Sequence, residues 1–157
     1  MSTVLYPGSF DPVHNGHVEI IGTASRLFDT VVVAVMLNPG KVHPLFTDDE
    51  RADMIKEAVV HLPNVEVTMF GGLVVDIATE LKIDLIVKGL RGVSDFEGEL
   101  QMAQMNRSVT GIETLFIPST SEDSFIASKY IREISKFGGK VSHLVPEGVA
   151  RRLAERH

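Results

Sequence analysis

Hydrophobic residues follow two rhythms along this chain. Short apolar runs, Thr3 to Tyr6 and Val31 to Leu37, end at Pro7-Gly8 and at Asn38-Pro39-Gly40, as buried strands closed by turns do. Between them Val18, Ile21, Ala24 and Phe28 recur at helical spacing, with Ile20 and Leu27 widening the stripe, which predicts a helix packed on a sheet. Thr47-Asp48-Asp49-Glu50 has the form of a capping box, and Ala52, Ile55, Ala58 and Val59 extend a helix to about His61 before Pro63-Asn64 breaks it. The rhythm then repeats: Val65 to Phe70 as strand, Gly71-Gly72 as turn, and a helical stripe of Leu73, Val74, Ile77, Ala78 and Leu81. Leu85 to Val87 reads as a fourth strand and Thr114 to Ile117 as a fifth. Ser94-Asp95-Phe96-Glu97 offers a second capping box, for a helix carrying Phe96, Leu100, Ala103 and Val109. Ser124 to Phe137 is a further helix stopped by Gly138-Gly139, and Pro146 to Arg156 a last one.

Alternating strands and helices predict an α/β fold: a Rossmann-like, open, parallel five-stranded sheet with helices on both faces. Residues 1–157 hold no linker, repeat or low-complexity stretch, so a single domain is expected. Ligands of such sheets bind beyond the carboxyl ends of the strands, where strand order reverses. The segments that follow the strands are Gly8 to His17, Pro39-Gly40-Lys41, Gly71-Gly72-Leu73, Lys88-Gly89-Leu90-Arg91 and Pro118 to Phe125, so glycines and cations gather on one rim.

Composition narrows the function classes. At 157 residues, 44% hydrophobic and 23% charged, the chain can build a real core. No apolar run approaches a membrane span and the first residues lack a signal peptide's pattern, so a soluble, cytoplasmic protein is expected, with no membrane partner. The absence of cysteine excludes disulfides, thiolate metal sites and a cysteine nucleophile. A net charge of −6 argues against nucleic acid as a partner, yet allows a small anion in a locally basic cleft.

Gly8-Ser9-Phe10-Asp11-Pro12-Val13-His14-Asn15-Gly16-His17 joins the first strand to a helix start. Glycines let a ligand approach the backbone, the helix start offers free N–H groups, and imidazoles can donate to phosphate oxygens. A structural reading stands beside this one, in which one histidine caps the turn and the other is surface. Zinc would need a third and fourth ligand, and His43 and His61 show no spacing that supplies them. Neither a Walker A run nor a G-x-G-x-x-G follows the first strand, which counts against a P-loop ATPase and against NAD. Asp11 reads as structural, pairing with backbone N–H groups of its loop.

With those residues in view, the chain resembles the H-x-G-H nucleotidylyltransferase superfamily, and within it the bacterial phosphopantetheine adenylyltransferases. Further matches are Asn38-Pro39-Gly40-Lys41, Phe46-Thr47 with Glu50-Arg51, Lys88 to Arg91, Asp95 to Asn106, and Ser124-Phe125-Ile126 with Ser128. The resemblance implies transfer of AMP from ATP to 4′-phosphopantetheine, giving dephospho-CoA and pyrophosphate in coenzyme A synthesis. It implies Mg²⁺ held mainly on the ATP phosphates, with no metal ligands from the protein, CoA as a feedback ligand, and a homohexamer. His17, Lys41 and Arg91 are its expected catalytic residues. Expected ATP contacts are Ser9, Phe10, His14, His17, Gly89, Leu90, Arg91, Glu99 and the run Asp123, Ser124, Phe125, Ile126, Ala127, Ser128 and Lys129. Ser9, Lys41, Val74 and Lys88 are expected to bind the acceptor.

Three positions depart from the family pattern. Ile126-Ala127-Ser128-Lys129 replaces Ile-Ser-Ser-Ser/Thr and loses two hydroxyls, Gly98 replaces a common tyrosine, and Lys88 replaces a common arginine. Two other function classes therefore remain open on sequence alone. One is a nucleotidyltransferase with another acceptor, such as nicotinate mononucleotide or a cytidylyltransferase substrate; the other is a nucleotide or CoA sensor without turnover.

Overall fold

A computed structural model describes residues 1–37, 44–91, 93–120 and 122–156, with the side chains of 93–95 left aside. In chain order the elements are β1 (Thr3–Gly8), α1 (Asn15–Leu27), β2 (Thr30–Leu37), α2 (Asp48–Ala58), β3 (Val65–Gly71) and α3 (Val74–Glu80). They continue as β4 (Leu85–Leu90), α4 (Val93–Thr110), β5 (Glu113–Pro118), α5 (Ser128–Lys136) and α6 (Glu147–Arg156). The five strands form one parallel sheet in the order β3-β2-β1-β4-β5. The order reverses between β1 and β4, where Val4 pairs with Leu85. A cleft at their carboxyl ends is therefore what the topology requires.

Alternation along the strands divides the core in two. Val4, Tyr6, Val31, Val33, Val35 and Val87 point to one face, with Ile20, Ile21 and Ala24 of α1, Met54 and Ile55 of α2, Ile131 of α5 and Leu153 of α6. Leu5, Val32, Ala34 and Ile86 point to the other, against Ile77 and Ala78 of α3. α4 lies along β5 on that second side, with the Phe96 ring edge-on to Phe116 at 5.9 Å. Helices thus cover both faces, as the period-two pattern of β1 and β2 demands.

Element boundaries moved in instructive ways. Thr47 caps α2 as its sequence predicts, exchanging hydrogen bonds with Glu50. Ser94 does not cap α4, because the helix already includes Val93 and Ser94 is its second residue. The helix expected from Ser124 starts only at Ser128. Two tight turns come first, with Asp123 N–H to Thr120 C=O at 3.2 Å and Ile126 N–H to Asp123 C=O at 3.1 Å. Ile126 is driven into the core and Ala127 is extended at φ −141°, so regular helix cannot begin earlier.

Gly138-Gly139 ends α5 as expected, and the geometry shows why glycine is needed. Gly138 has φ +79°; its N–H reaches Ser135 C=O at 3.0 Å and the Gly139 N–H reaches Ile134 C=O at 2.8 Å, the paired bonds of a Schellman cap. Gly138→Ala should cost about 1–2 kcal/mol, the penalty of a Cβ in the left-handed region. Urea unfolding checks it: the midpoint should fall while the unfolding slope stays constant.

Candidate active site

The turn after β1 is held in a conformation it would not choose alone. Phe10 has φ +50°, in the left-handed region that a bulky residue rarely enters, at a cost of about 1–3 kcal/mol. The Asp11-Pro12 peptide that follows is cis. Surrounding groups hold this backbone: Arg51 of α2 donates to Ser9 C=O at 2.8 Å, Arg132 of α5 to Asp11 C=O at 2.6 Å, and the Ser128 hydroxyl to Pro12 C=O at 2.8 Å. The buried Asp11 carboxylate accepts the Leu45 and Phe46 N–H groups at 2.9 and 3.0 Å. Asp11 is therefore structural, and it ties its loop to the chain entering α2 rather than bracing its own turn. Gly8 is required by space, since a Cβ there would lie 3.0 Å from the Phe10 ring.

The two histidines cap α1 reciprocally. His14, extended at φ −133°, accepts the Gly16 and His17 N–H groups on Nδ1 at 3.1 and 3.4 Å. His17 Nδ1 in turn accepts the His14 N–H at 3.0 Å. With both Nδ1 atoms acting as acceptors, the network assigns each proton to Nε2. The rings stack at 3.6 Å, and Phe10 supports His17 edge-on at 4.8 Å. A Cβ at residue 16 would sit 2.9 Å from His14 Cε1, which explains the glycine between the histidines.

Electrostatics keep both rings neutral. Burial, then the Arg91 charge, lowers the His14 pKa to about 3. Burial, then His14, Arg91 and Lys88, pushes His17 well below the usual imidazole value. The site thus offers neutral Nε2–H donors, and its positive charge comes from Lys88 and Arg91.

These groups line an open cleft of about 610 Å³ above the β1–β4 switch, with Tyr6, Gly89, Glu99, Ser119 and Asp123. Gly89 lets α1 approach β4, because a Cβ there would meet Ile20 Cγ1 at 3.1 Å. Lys88 pairs with Glu99 of α4 at 3.6 Å. Beyond that pair lies a smaller cavity of about 290 Å³, with Val74, Ile86, Met102, Asn106 and Thr114 on its walls. The two cavities share Pro7, Lys88 and Glu99. The Thr114 hydroxyl is buried there without a hydrogen-bond partner.

Comparison with known proteins decides the family. A model described as cytidylyltransferase-like matches residues 5–134. A phosphopantetheine adenylyltransferase of Gloeobacter violaceus is 55% identical over 97% of this chain and 94% of its own length. One from Streptomyces coelicolor is 50% identical over 99% of this chain and 98% of its own length. The chain belongs to the phosphopantetheine adenylyltransferases. Among solved structures, a lipopolysaccharide core biosynthesis protein from Thermoplasma volcanium GSS1 is similar at 25% identity and TM-score 0.54, over 76% of this chain and 97% of that one.

Of the residues the family resemblance singles out, Phe10, His14, His17, Lys88, Gly89, Arg91, Glu99 and Asp123 meet in the cleft, and Val74 lies in the adjoining cavity. Lys41 falls outside the described residues. Ser9, Leu90 and residues 124–129 are not on the cleft wall. Several of them hold that wall in place: Ser9, Leu90 and Ile126 through their carbonyls, and Ser128 through its hydroxyl. Phe125 is 66% exposed, and the Lys129 ammonium lies 5.1 Å from the Tyr130 ring centre. Of the departures, Ala127 is the N-cap of α5 without a side-chain cap bond, and a Cβ at Gly98 would meet nothing within 4 Å. Sequence reasoning gave no role to Tyr6, Ser119, Arg51, Arg132 or Asn106. Of these, Arg51 and Asn106 fell inside family-matching motifs without a role attached, and Tyr6 is a polar tip at the end of an apolar strand.

Neutral His14 has a consequence for stability. Its folded pKa of about 3 lies below the unfolded value near 6.5, so between those values the unfolded state binds the extra proton. The contribution is complete above the unfolded value and is lost as pH falls toward about 3. His14→Asn keeps a capping acceptor and does not titrate. Thermal melts from about pH 7 to 5 should show Tm falling more steeply in wild type than in His14→Asn. Parallel curves would contradict the assignment of His14 as a neutral cap.

Proposed function

We propose that this chain transfers the adenylyl group of ATP to the phosphate of 4′-phosphopantetheine, forming dephospho-CoA and releasing pyrophosphate. The observation that carries this reading is the meeting of two differently lined cavities at Lys88. The cleft, with its N–H donors and cations, suits a nucleotide triphosphate. The smaller cavity is largely apolar, with Asn106 and an unpartnered Thr114 hydroxyl on its walls, and suits an arm in which methylenes alternate with amides. Lys88, at the junction, serves the acceptor phosphate.

In the reaction an acceptor phosphate oxygen attacks the α-phosphorus of ATP, and the bond from that phosphorus to the oxygen bridging to the β-phosphate breaks. The electron pair leaves with pyrophosphate. No covalent enzyme intermediate is needed, so the protein aligns two anions and stabilises the charge that builds at the α-phosphate. His17 Nε2–H donates there, and His14 seats the neighbouring phosphates. Because neither imidazole is charged at neutral pH, Arg91 and Lys88 carry the neutralisation, joined by Lys41. Arg91 also braces the Ile126 carbonyl at 2.7 Å, so it acts on substrate from a fixed position.

A divalent cation, Mg²⁺ in this reading, would be held by the ATP phosphates and would supply charge shielding there. Among the described residues no group of three carboxylates or imidazoles could hold a metal. The cleft turns imidazole N–H donors and the Lys88 and Arg91 cations to the phosphates, with the carboxylates of Glu99 and Asp123 also on its wall. CoA shares the pantetheine arm and adenylyl group of the product, and we take it as a feedback ligand of the same cavities. A homohexamer is the assembly we expect, and Met105 and Val109 of α4, each more than half exposed, support association through that helix. No helix among the described residues is long and apolar enough to cross a membrane, and the cytoplasm is the compartment we assign.

The test is pyrophosphate release from ATP. It should require both 4′-phosphopantetheine and Mg²⁺, with nicotinate mononucleotide and cytidylyltransferase acceptors inert. His17→Ala should lower kcat by roughly 10²–10³-fold with little change in either KM, as loss of a transition-state donor does. Lys88→Ala should raise the acceptor KM roughly tenfold or more, the worth of a charge-assisted contact. ATP binding without turnover for any acceptor would favour a sensor instead.

A further inference from the structure

β1 brings a buried polar group to the floor of the cleft. Alternation along the strand sends Val4 and Tyr6 toward α1, and Tyr6 is only 6% exposed. Its ring stands edge-on to Phe10 at 5.4 Å and lies 6.5 Å from the His17 ring. Phenylalanine would fill this space equally well, so packing leaves the hydroxyl unexplained. That oxygen lies 3.9 Å from the position a Cβ at residue 89 would take, and Gly89 keeps the space beside it open. Among the described residues no hydrogen bond reaches it. The unpartnered side-chain atoms that are sealed from solvent are Arg51 Nε and Thr114 Oγ1. The Tyr6 hydroxyl is unpartnered but not sealed, so it opens into the cleft, whose wall it shares with His17, Lys88, Gly89 and Arg91. The transfer chemistry itself makes no use of it.

We propose that Tyr6 is a further catalytic residue: its hydroxyl donates a hydrogen bond to a non-bridging oxygen of the ATP α-phosphate, next to the bond from His17, as the acceptor phosphate attacks.

An ionised phosphate oxygen only accepts, so a group that serves it must hold its proton. Burial pushes the Tyr6 phenol above its ordinary pKa, with the Arg91 charge opposing the shift and the Glu99 charge adding to it. The hydroxyl is therefore a neutral donor, like the two imidazoles. Its neighbours select the α-phosphate. His17 serves that phosphate in the proposed reaction, and Gly89 directly follows Lys88, the cation assigned to the acceptor. A donor beside both stands where the attacking phosphate meets the one under attack. As transfer proceeds, charge redistributes over the oxygens of the α-phosphorus, and a donor already fixed by packing stabilises it without reorganising.

Tyr6→Phe removes one oxygen and keeps the ring against Phe10 and His17. The inference rests on reading the cleft as the adenylyl-transfer site, so pyrophosphate release with 4′-phosphopantetheine is followed in wild type and variant together. The variant should melt at a temperature no lower than wild type, since an unpaired polar group is lost. Its kcat should fall roughly 10- to 100-fold, the worth of a hydrogen bond to a charged group, with both KM values and the ATP Kd within about twofold. ATP carrying sulfur at one or the other non-bridging oxygen of the α-phosphate gives a second readout, because sulfur accepts hydrogen bonds poorly. For one diastereomer the slowing by sulfur should be smaller in Tyr6→Phe than in wild type; for the other it should be equal in both. Preferences of the metal for oxygen are common to the two proteins and cancel in that comparison.

A Tyr6→Phe protein with the kcat of wild type would overturn the proposal. So would a raised ATP Kd at unchanged kcat, which marks a contact made equally in the ground state. Sulfur effects that are the same in both proteins for both diastereomers would overturn it even if kcat falls, since the loss would then come from displaced neighbours. These failures appear in the variant while wild type still turns over; a wild type that uses no acceptor sinks the adenylyltransferase reading, and the role of Tyr6 with it.

Discussion

At the start of α1, His14 and His17 exchange hydrogen bonds through their Nδ1 atoms, and much of the site follows from that exchange. A capping box normally uses a hydroxyl and a carboxylate. Building it from two imidazoles gives the same closure of orphan N–H groups, but leaves an Nε2–H on each ring. A carboxylate at the third helical position would repel a phosphate, whereas a neutral imidazole can donate to one. Stacking at 3.6 Å and burial then make protonation costly, so the pair gives directed hydrogen bonds without a variable charge. Separating donor geometry from cationic charge lets Lys88 and Arg91 stand at the cleft margin, where their desolvation is partial.

That cap needs a turn which the backbone resists. Phe10 in the left-handed region puts its ring beneath His17, and the cost is offset by hydrogen bonds from α2, α5 and the segment entering α2. Elements distant in sequence therefore serve the site without touching a ligand. Arg51 illustrates the principle: it is buried, it holds the Ser9 carbonyl and pairs with Asp48, yet its Nε has no partner. A buried guanidinium is expensive, and here it is retained as one of the several braces that hold the strained turn.

Most of the fold was legible because the strands alternate or run fully apolar and the helices carry regular stripes. The rule that open parallel sheets bind ligands beyond the carboxyl ends of their strands locates the rim from sequence, whereas strand order and register come only with the structure. The start of α5 was misplaced for a physical reason: Ser124 resembles a cap locally, but Ile126 is worth more in the core than the residues around it are in a helical turn. In the site, His14, His17, Lys88, Arg91 and Glu99 were legible from motif and position. The bonds from Thr120 to Glu19 and the braces from Arg51 and Arg132 were not, since each spans between about 40 and 120 residues of sequence. A side chain paired with main chain leaves no complementary residue type to find.

The division of labour between the two cavities also explains how one scaffold can serve different acceptors. In the proposed reading the turn after β1 and the cap of α1 meet only what all nucleotidyl transfers share, a phosphate chain approaching a helix start. In the proposed reading acceptor discrimination falls to β4 and α4, where Lys88 and Glu99 stand between the cleft and the cavity of Val74, Met102 and Asn106. These belong to elements whose sheet-facing residues alone are needed for the fold. The opposite faces can change without disturbing the core, as the open space around Gly98 illustrates. A salt bridge at the boundary adds a further constraint: Lys88 can serve an incoming phosphate fully only by loosening its 3.6 Å contact with Glu99. In the proposed reading the acceptor phosphate replaces part of that contact, so the ion pair subtracts from what the phosphate gains at Lys88 and sets how much of that charge the acceptor can use.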